Sequence, residues 1–349
     1  MKAIVLNQPK DFSIKEIDTP SIAEDEVLIR VKTSGICTND IRDFNGDCSY
    51  SYPRIGGHEY CGVIEKLGSE VEKKGFFKKG QKVVKYIIEN CGGCYYCKRG
   101  DENICEEHQN SAVFHNAEGL SGYGGFAEYA VAKADDLYIY SEDTSFEKMA
   151  FTEPLACVIN SISRTDIRFG DDVLVIGGGT MGLLHVILAK LKGARVILSE
   201  PLKERREKAL NLGCDDVLDS LSGDVVKRVK DMTEGRGAQY VFNTTANPKI
   251  AAQAVDMTSP TGTVIMFSSI HPNHPVPINL GAVHSNQITI TGAVSPTIAA
   301  FHQAVRMIDK GIVDPAVLTE AIYDYQDFGR AMQEAAKPDT YKVILRFGE

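Results

Sequence analysis

Short apolar runs divide the chain into two parts. In residues 2–150 the runs are brief and are interrupted by glycine, proline and charged residues. Between residues 27 and 32, Val, Ile and Val occupy alternate positions, which is typical of a half-buried strand. Similar runs recur at 61–66, 82–87 and 126–132. This pattern predicts an all-β or β-rich lobe.

From about residue 170, short apolar runs alternate with segments of helical spacing. Parallel strands need a covering crossover connection, so the alternation predicts a doubly wound parallel sheet and an α/β fold. A helix at 298–310 and an apolar run at 342–347 depart from this alternation, and we expect the tail to return to the first lobe. The predicted strands of the sheet are 173–176, 194–198, 240–242, 263–267 and 288–290, and its predicted helices are 181–191, 203–212 and 248–257.

Length and composition narrow the class of protein. A chain of 349 residues exceeds what one hydrophobic core normally fills, so two domains are expected. Its 43% apolar and 24% charged residues exclude disordered and low-complexity classes. The net charge of -9 disfavours a nucleic-acid partner, and we interpret the lysines between residues 73 and 82 as a solvated turn. No apolar segment has the length of a signal peptide or membrane span, which favours a soluble cytoplasmic protein without a membrane partner.

A strand, a Gly-x-Gly-x-x-Gly motif and a helix follow one another at residues 173–191. Gly177 permits the tight turn, Gly179 lets the backbone approach a pyrophosphate, and Gly182 lets the helix pack against the strand. Unpaired N–H groups at the helix N-terminus favour the phosphates. The motif therefore predicts a dinucleotide site, whose loop comprises Gly177, Gly179, Thr180, Met181 and Gly182.

Glu200 ends the next predicted strand. An acidic side chain there can accept hydrogen bonds from the ribose hydroxyls of NAD, and it would repel the 2′-phosphate of NADP. Pro201, not an arginine, follows it. We therefore predict NAD as the cofactor. Arg205 either packs along the adenine or is solvated.

Four cysteines lie within fifteen residues, with the spacing Cys-x2-Cys-x2-Cys-x7-Cys. Four thiolates on one loop can close a tetrahedron around zinc and leave no open coordination position. The spacing differs from those of ferredoxins. The pattern predicts a structural zinc site formed by Cys91, Cys94, Cys97 and Cys105.

Three further segments offer ligands for a second metal. They contain Cys37, His58 with Glu59, and Glu153. Together they supply one thiolate, one imidazole and one or two carboxylates, and three protein ligands plus a free position is the composition of a catalytic zinc site. The residues alone do not decide between the two glutamates.

These motifs, taken in order, resemble a known family. The chain is similar to the zinc-dependent medium-chain dehydrogenases, in particular the branch of sorbitol (polyol) and threonine dehydrogenases. The resemblance covers essentially the whole chain. The matching features are GIC-x-x-D at 35–40, GGHE at 56–59, the cysteine loop at 91–105, GGFAEY at 124–129, EPL at 153–155 and the glycine-rich motif at 177–182.

The resemblance implies a β-rich GroES-like catalytic domain formed by residues 1–154 and 294–349, with an inserted Rossmann domain at 155–293. It implies two zinc ions per chain and a catalytic zinc held by Cys37 and His58, with Glu59 or Glu153 supplying a carboxylate directly or through water. Asp40 matches the residue that holds the ligand histidine and fixes its tautomer.

Two positions depart from the family pattern. The family commonly has Ser or Thr two residues after the ligand cysteine and often has His five residues after it, and these groups pass the alcohol proton to solvent. Here the two positions are Asn39 and Arg42. Thr38, Glu59 or a water chain would then release the proton. Arg42 either forms a surface salt bridge or favours an acidic or phosphorylated substrate.

The resulting prediction is an NAD- and zinc-dependent dehydrogenase that acts on a secondary alcohol, such as a polyol, sugar acid or sugar phosphate. The alternatives are an L-threonine-type amino-alcohol dehydrogenase, a non-catalytic NAD(H)- and zinc-binding protein, and a zinc-ribbon protein that binds nucleic acid. The resemblance also implies a homodimer or homotetramer. Thr289–Gly292 is then a candidate edge strand, and a buried strand is the equal alternative.

Overall fold

The computed structural model describes residues 1–107 and 119–348. The chain forms two compact units: Met1–Ala156 with Pro296–Glu349, and Cys157–Ser295. The first is β-rich and the second is built on a parallel sheet. The predicted α/β fold class, with one β-rich domain and one doubly wound domain, is confirmed. No helix among the described residues is long and apolar enough to cross a membrane.

The β-rich unit contains a two-stranded antiparallel sheet and a seven-stranded mixed sheet. In the larger sheet the order is β14-β15-β3-β4-β5-β7, and β6 pairs with β3. The strands of this unit are β1 (Lys2–Gln8), β2 (Asp11–Glu16), β3 (Glu26–Ile36), β4 (Glu59–Leu67), β5 (Lys82–Lys85), β6 (Tyr129–Lys133), β7 (Leu137–Ile139), β14 (Thr319–Asp324) and β15 (Lys342–Arg346). Helices α1 (Thr38–Asn45), α2 (Ser69–Lys74), α3 (Tyr95–Arg99), α4 (Phe146–Met149), α11 (Ile298–Asp309) and α12 (Phe328–Ala335) accompany them.

Strand register brings three distant segments to one end of this sheet. β3 and β4 are antiparallel, and Gly35 pairs with Glu59. β15 runs antiparallel to the other side of β3, and its Val343 pairs with Ile36. The end of β3 therefore lies beside the beginnings of β4 and β15. The tail thus returns to the first lobe as predicted.

The second unit contains a six-stranded, all-parallel sheet in the order β10-β9-β8-β11-β12-β13. This is the order 3-2-1-4-5-6 of dinucleotide-binding folds. Its strands are β8 (Asp172–Ile176), β9 (Arg195–Ser199), β10 (Asp216–Leu218), β11 (Ala238–Asn243), β12 (Thr258–Met266) and β13 (Thr289–Gly292). The helices are α6 (Thr180–Leu191), α7 (Lys203–Asn211), α8 (Val225–Met232), α9 (Pro248–Asp256) and α10 (Leu280–Ser285), and α5 (Thr152–Ile162) precedes them.

Several details differ from the sequence prediction. In the second unit, strand β10 and helices α8 and α10 were not predicted. β12 begins at Thr258, five residues before the predicted start, because the chain enters the sheet through an irregular Pro260–Gly262 segment that resembles a turn. α1 was not predicted at all, although it follows the candidate ligand Cys37 directly. β13 is the edge strand of its sheet and is largely exposed, which decides between the two alternatives for this segment.

Candidate metal centres and nucleotide site

A thiol, an imidazole and a carboxylate meet where β3 ends and β4 begins. The ligand atoms of Cys37, His58 and Glu59 all lie within 4.8 Å of one another. His58 and Glu59 are buried, and Cys37 is half-buried. Sulfur, nitrogen and oxygen donors in this combination suit zinc, whose bonds of about 2.0–2.3 Å place its ligands close together. The donor set therefore fits the metal that the sequence predicted.

Asp40 holds the backbone on both sides of this cluster. Its Oδ2 accepts a hydrogen bond from the backbone N–H of Cys37 at 2.9 Å, and its Oδ1 accepts one from that of Gly57 at 3.2 Å. The same Oδ1 lies 3.5 Å from Nδ1 of His58. Asp40 occupies the third position of α1, so the start of that helix places its carboxylate between the two ligands.

Lys342 makes a buried ion pair with Glu59 that the sequence prediction missed. Its Nζ lies 2.7 Å from Oε1 and 2.6 Å from Oε2 of Glu59, and it also donates to the carbonyl of Ile36 at 3.2 Å. The side chains of both members are nearly inaccessible, at 6% for Lys342 and 1% for Glu59. Glu59 therefore faces a protein cation as well as the thiol and imidazole.

The protonation of the cluster reflects burial and close opposite charges. Burial raises the pKa of the Cys37 thiol, and the His58 imidazole partly offsets this effect. For His58, burial alone lowers the pKa, but Asp40 and Cys37 outweigh burial and raise it well above the ordinary value. The same balance applies to Lys342, whose pKa burial lowers but the negative charge of Glu59 raises above its ordinary value. The neighbouring negative charges therefore stabilise the protonated forms of His58 and Lys342.

Glu153 and Thr38 lie outside the three-ligand cluster. Glu153 is in the first turn of α5, and its charge contributes to the raised pKa of Lys342. Among the described residues it is not part of the set whose ligand atoms meet within 4.8 Å. Thr38, proposed above as a proton-release group, is the exposed first residue of α1. The geometry favours Glu59 over Glu153 as the nearer carboxylate.

The four cysteines of the loop at 91–105 form the second cluster. Their sulfur atoms lie within 4.8 Å of one another. Backbone N–H groups point at these sulfurs: that of Cys94 lies 3.2 Å from Sγ of Cys91, and that of Cys97 lies 3.5 Å from Sγ of Cys94. Hydrogen bonds from the backbone of Cys97 and Glu106 lower the pKa of the Cys94 thiol to about 6. Burial and the neighbouring thiols of Cys94 and Cys105 raise the pKa of the Cys97 thiol to about 12, so without a metal the cluster favours one thiolate at Cys94. Four cysteine sulfurs this close together fit a closed zinc site.

The glycine-rich loop in the second unit has the tight turn that its motif requires. Gly177 adopts a φ of +98°, in the left-handed region that favours glycine. A Cβ added at Gly182 would overlap the carbonyl oxygen of Gly177. Gly179 precedes α6 as its N-cap, and Thr180 and Met181 begin that helix. The loop therefore presents the helix N-terminus as the motif predicted.

Glu200 lies beside this loop at the end of β9. It is 3% exposed, and its Oε2 accepts a hydrogen bond from the backbone N–H of Gly178 at 2.5 Å. Its Oε1 accepts one from the backbone N–H of Leu202 at 2.9 Å. Arg205 is also close, because a Cβ added at Gly178 would lie 3.2 Å from the Cβ of Arg205. The acidic side chain is thus fixed next to the turn of Gly177.

Two family models match the chain. The alcohol dehydrogenase GroES-like domain matches residues 23–142, and the zinc-binding dehydrogenase model matches residues 180–310. The first range includes both candidate metal clusters apart from Lys342, and the second includes most of the six-stranded sheet.

Two curated relatives are similar over nearly their full lengths. Sorbitol dehydrogenase of Halalkalibacterium halodurans is 28% identical, covering 99% of both chains. L-threonine 3-dehydrogenase of Pyrococcus horikoshii is 34% identical, covering 99% of this chain and 98% of its own.

Two solved structures are similar over 99% of both chains. A short chain alcohol dehydrogenase of Escherichia coli CFT073, in complex with NADH, has 26% identity and a TM-score of 0.88. A structure from Sinorhizobium meliloti 1021 bound to NADP has 25% identity and a TM-score of 0.90.

Proposed function

The chain belongs to the zinc-binding dehydrogenases with an alcohol dehydrogenase GroES-like domain, and we propose that it transfers hydride between a polyhydroxylated secondary alcohol and NAD. The observation that carries this proposal is the meeting of Cys37, His58 and Glu59 within 4.8 Å at the end of β3. The similarity to sorbitol dehydrogenase supports a polyol as the substrate class.

The three cluster residues and their two neighbours, Asp40 and Lys342, have different roles in this reaction. Cys37, His58 and Glu59 would hold a zinc ion. Bound zinc would supply Lewis-acid assistance to loss of the alcohol proton, and bound NAD would accept the hydride. Asp40 fixes the backbone that carries Cys37 and His58. Lys342 donates to both carboxylate oxygens of Glu59 and so fixes the orientation of this side chain.

The second unit would bind the dinucleotide. The turn at Gly177 and the N-terminus of α6 would take the pyrophosphate. Glu200 is buried and negatively charged beside that turn, so a ribose 2′-phosphate at this position would meet electrostatic repulsion. This supports NAD, although NADP occurs in one similar structure. Arg205 lies close enough to the loop to contact the adenosine part.

The domain bounds and the assembly are part of the same proposal. We assign residues 1–154 and 294–349 to the catalytic domain and residues 155–293 to the NAD-binding domain. No strand of the described part of the chain pairs with the outer side of β13, so pairing of two copies of β13 across a two-fold axis would extend the sheet. This supports a homodimer, or a homotetramer built from such dimers.

Turnover and metal content test the proposal together. Zinc-loaded protein should contain about two zinc ions per chain and should reduce NAD in the presence of sorbitol or another polyol. Cys37→Ala should remove one zinc ion and abolish turnover while NADH binding persists, because the thiolate is a ligand only in the first cluster. Cys214→Ala, which removes a buried thiol from the second unit, is the matched control and should retain both zinc ions.

Several results would contradict the proposal. Turnover of L-threonine without turnover of polyols would favour the amino-alcohol alternative. A single zinc ion per chain, combined with NADH binding and no dehydrogenase activity, would favour the non-catalytic alternative.

A further inference from the structure

Helix α1 carries polar side chains on a side other than that of Asp40, the residue that contacts the metal cluster. Asn39 and Arg42 are separated by three positions, so their side chains lie on one side of the helix. Two residues of the following loop complete this side: the Sγ of Cys48 lies 3.8 Å from Oδ1 of Asn39, and the hydroxyl of Tyr50 lies 3.4 Å from its Nδ2. We call Asn39, Arg42, Cys48 and Tyr50 the α1 face.

Arg42 is the only charged member of the α1 face. It is half-buried, and within residues 1–107 and 119–348 its guanidinium makes no ion pair or hydrogen bond. Arg42 lies close enough to Cys48 to affect its thiol. Burial raises the pKa of this thiol, and the positive charge of Arg42 offsets part of that rise. A guanidinium has five N–H donors, so it retains the capacity to bind a carboxylate or phosphate bidentately.

Arg54, in the same segment of the chain, has the ionic and aromatic partners that a half-buried or buried guanidinium usually has. Arg54 pairs with Asp43 at 3.1 Å and stacks over the ring of Tyr50 at 3.9 Å. Its charge is therefore balanced, and the stacking fixes the tyrosine whose hydroxyl contacts Asn39. Among the residues that the structure describes, no carboxylate pairs with Arg42, which leaves its charge available to a bound molecule.

The α1 face adjoins the metal cluster. Cys37 is the residue before α1, and the five positions from Cys37 to Arg42 correspond to about 7 Å along the helix axis, the scale of a short sugar chain. Tyr50 also influences Tyr123, whose pKa burial raises to about 12, and the ring of Tyr123 lies 5.3 Å from that of His58. Asn39, Tyr50, Tyr123 and His58 are thus successive neighbours, so an extended molecule with one hydroxyl at Cys37 and His58 would meet the α1 face on this side.

We infer that the α1 face binds an anionic substituent of the substrate, a phosphate monoester or a carboxylate at the far end of the polyol chain. Arg42 contributes the charge, and Asn39 and Tyr50 contribute hydrogen bonds to hydroxyls between the two ends. This inference rests on the proposed dehydrogenase function and narrows its substrate class. On this inference Asn39 and Arg42, the two positions that depart from the family pattern, would bind substrate.

Two negative charges oppose an anion at this face: Asp43, which is paired with Arg54, and Asp47. Asp47 is exposed, and it raises the thiol pKa of Cys48 while Arg42 lowers it. Because Asp47 is in solvent, salt and water screen it more strongly than they screen half-buried Arg42. Removing the Asp47 charge should therefore strengthen anion binding, which gives a variant with an effect opposite to that of Arg42.

Matched substrates test the inference. Sorbitol, sorbitol 6-phosphate and gluconate share a six-carbon chain and differ in the charged group. The kcat/KM of wild-type protein should be highest for one of the two anions, and the preferred anion distinguishes phosphate from carboxylate. Arg42→Gln should lower the ratio of kcat/KM for the anion to that for sorbitol by about 10- to 100-fold, the range for one charge-assisted contact. Arg42→Lys should recover part of it, and Asp47→Asn should raise it.

Arg306→Gln is the matched control, because Arg306 is an exposed arginine on α11. It should leave the ratio unchanged. An Arg42→Gln variant with the wild-type ratio would overturn the inference, as would wild-type protein that prefers sorbitol to both anions.

Calorimetric binding of the same three compounds to zinc-loaded protein with NADH separates this inference from the proposed function. Anion-selective binding that requires Arg42 but leads to no turnover would contradict the dehydrogenase proposal alone. Polyol turnover without any anion-selective binding would contradict the α1 face alone.

Discussion

The two metal clusters of the β-rich unit are built from different lengths of chain. Cys91, Cys94, Cys97 and Cys105 come from one loop, and backbone N–H groups of that same loop point at their sulfurs. Cys37, His58 and Glu59 come from the ends of two strands and the loop between them, and Lys342 joins them from a strand 283 residues after Glu59.

The difference explains what each cluster can do. Four cysteine ligands would leave a bound zinc ion no open position, so the loop cluster would only fix local structure. The first cluster mixes a thiol, an imidazole and a carboxylate, and its carboxylate is shared with a buried lysine. Its geometry depends on the register of β3, β4 and β15, so it forms only in the folded unit. The four-cysteine cluster is therefore positioned by one short loop, and the cluster of Cys37, His58 and Glu59 is positioned by contacts between distant strands.

Removing a ligand from the loop cluster should produce the largest loss of stability. Cys97→Ser should eliminate one zinc ion and lower the free energy of unfolding of the β-rich unit by several kcal/mol, since binding energies of structural zinc reach about 10–16 kcal/mol in small peptides. Denaturant unfolding and metal analysis measure both effects. His58→Gln is the comparison variant, and it should also lose one zinc ion but keep most of the stability. Equal losses in both variants would show that the two clusters do not differ in this way.

Breaking the buried ion pair should have the next largest effect. Lys342→Met leaves the Glu59 carboxylate buried without its cation, and such a change costs about 3–5 kcal/mol. Denaturant unfolding of metal-free protein should show this loss. Adding Glu59→Gln to Lys342→Met removes the uncompensated charge and should restore part of the stability, whereas Lys342→Arg should retain the pair. If the double variant is no more stable than Lys342→Met, the cost arises from packing and not from the unpaired charge.

The sequence was sufficient where a motif is contiguous. The glycine-rich loop and the four cysteines were identified from residue type and spacing. The family resemblance came from six short motifs in a characteristic order, and the match to the two dehydrogenase models confirms it. The α/β class was also predictable, because alternating strands and helices leave few topologies. The glycine-rich loop, the cysteine loop and each strand–helix–strand unit depend on residues that lie within about thirty positions of one another.

The missed features depend on distant contacts or irregular backbone. Lys342 stands in a tail segment whose only visible pattern is that of a strand, and its partner Glu59 is 283 positions away. That Glu59 lies nearer than Glu153 to Cys37 and His58 depends in part on the register of β3 and β4, which the sequence does not reveal. β12 was predicted too short because Pro260 and Gly262 resemble turn residues. Helix α1 is short and half polar, so its apolar periodicity is weak.

The smallest expected effect concerns the support behind the ligands. Asp40→Asn keeps the shape of the side chain and one oxygen, but it removes the charge that lies 3.5 Å from Nδ1 of His58. Changes of this kind reduce metal affinity by about 10- to 100-fold. Competition with a chelator should therefore show weaker binding of one zinc ion and unchanged binding of the other. Asp101→Asn, in the cysteine loop, is the matched control and should change neither, because the thiolates there are stabilised by backbone N–H groups. Weaker binding of both zinc ions in Asp40→Asn would mean that Asp40 supports the fold of the whole β-rich unit and not only the cluster of Cys37, His58 and Glu59.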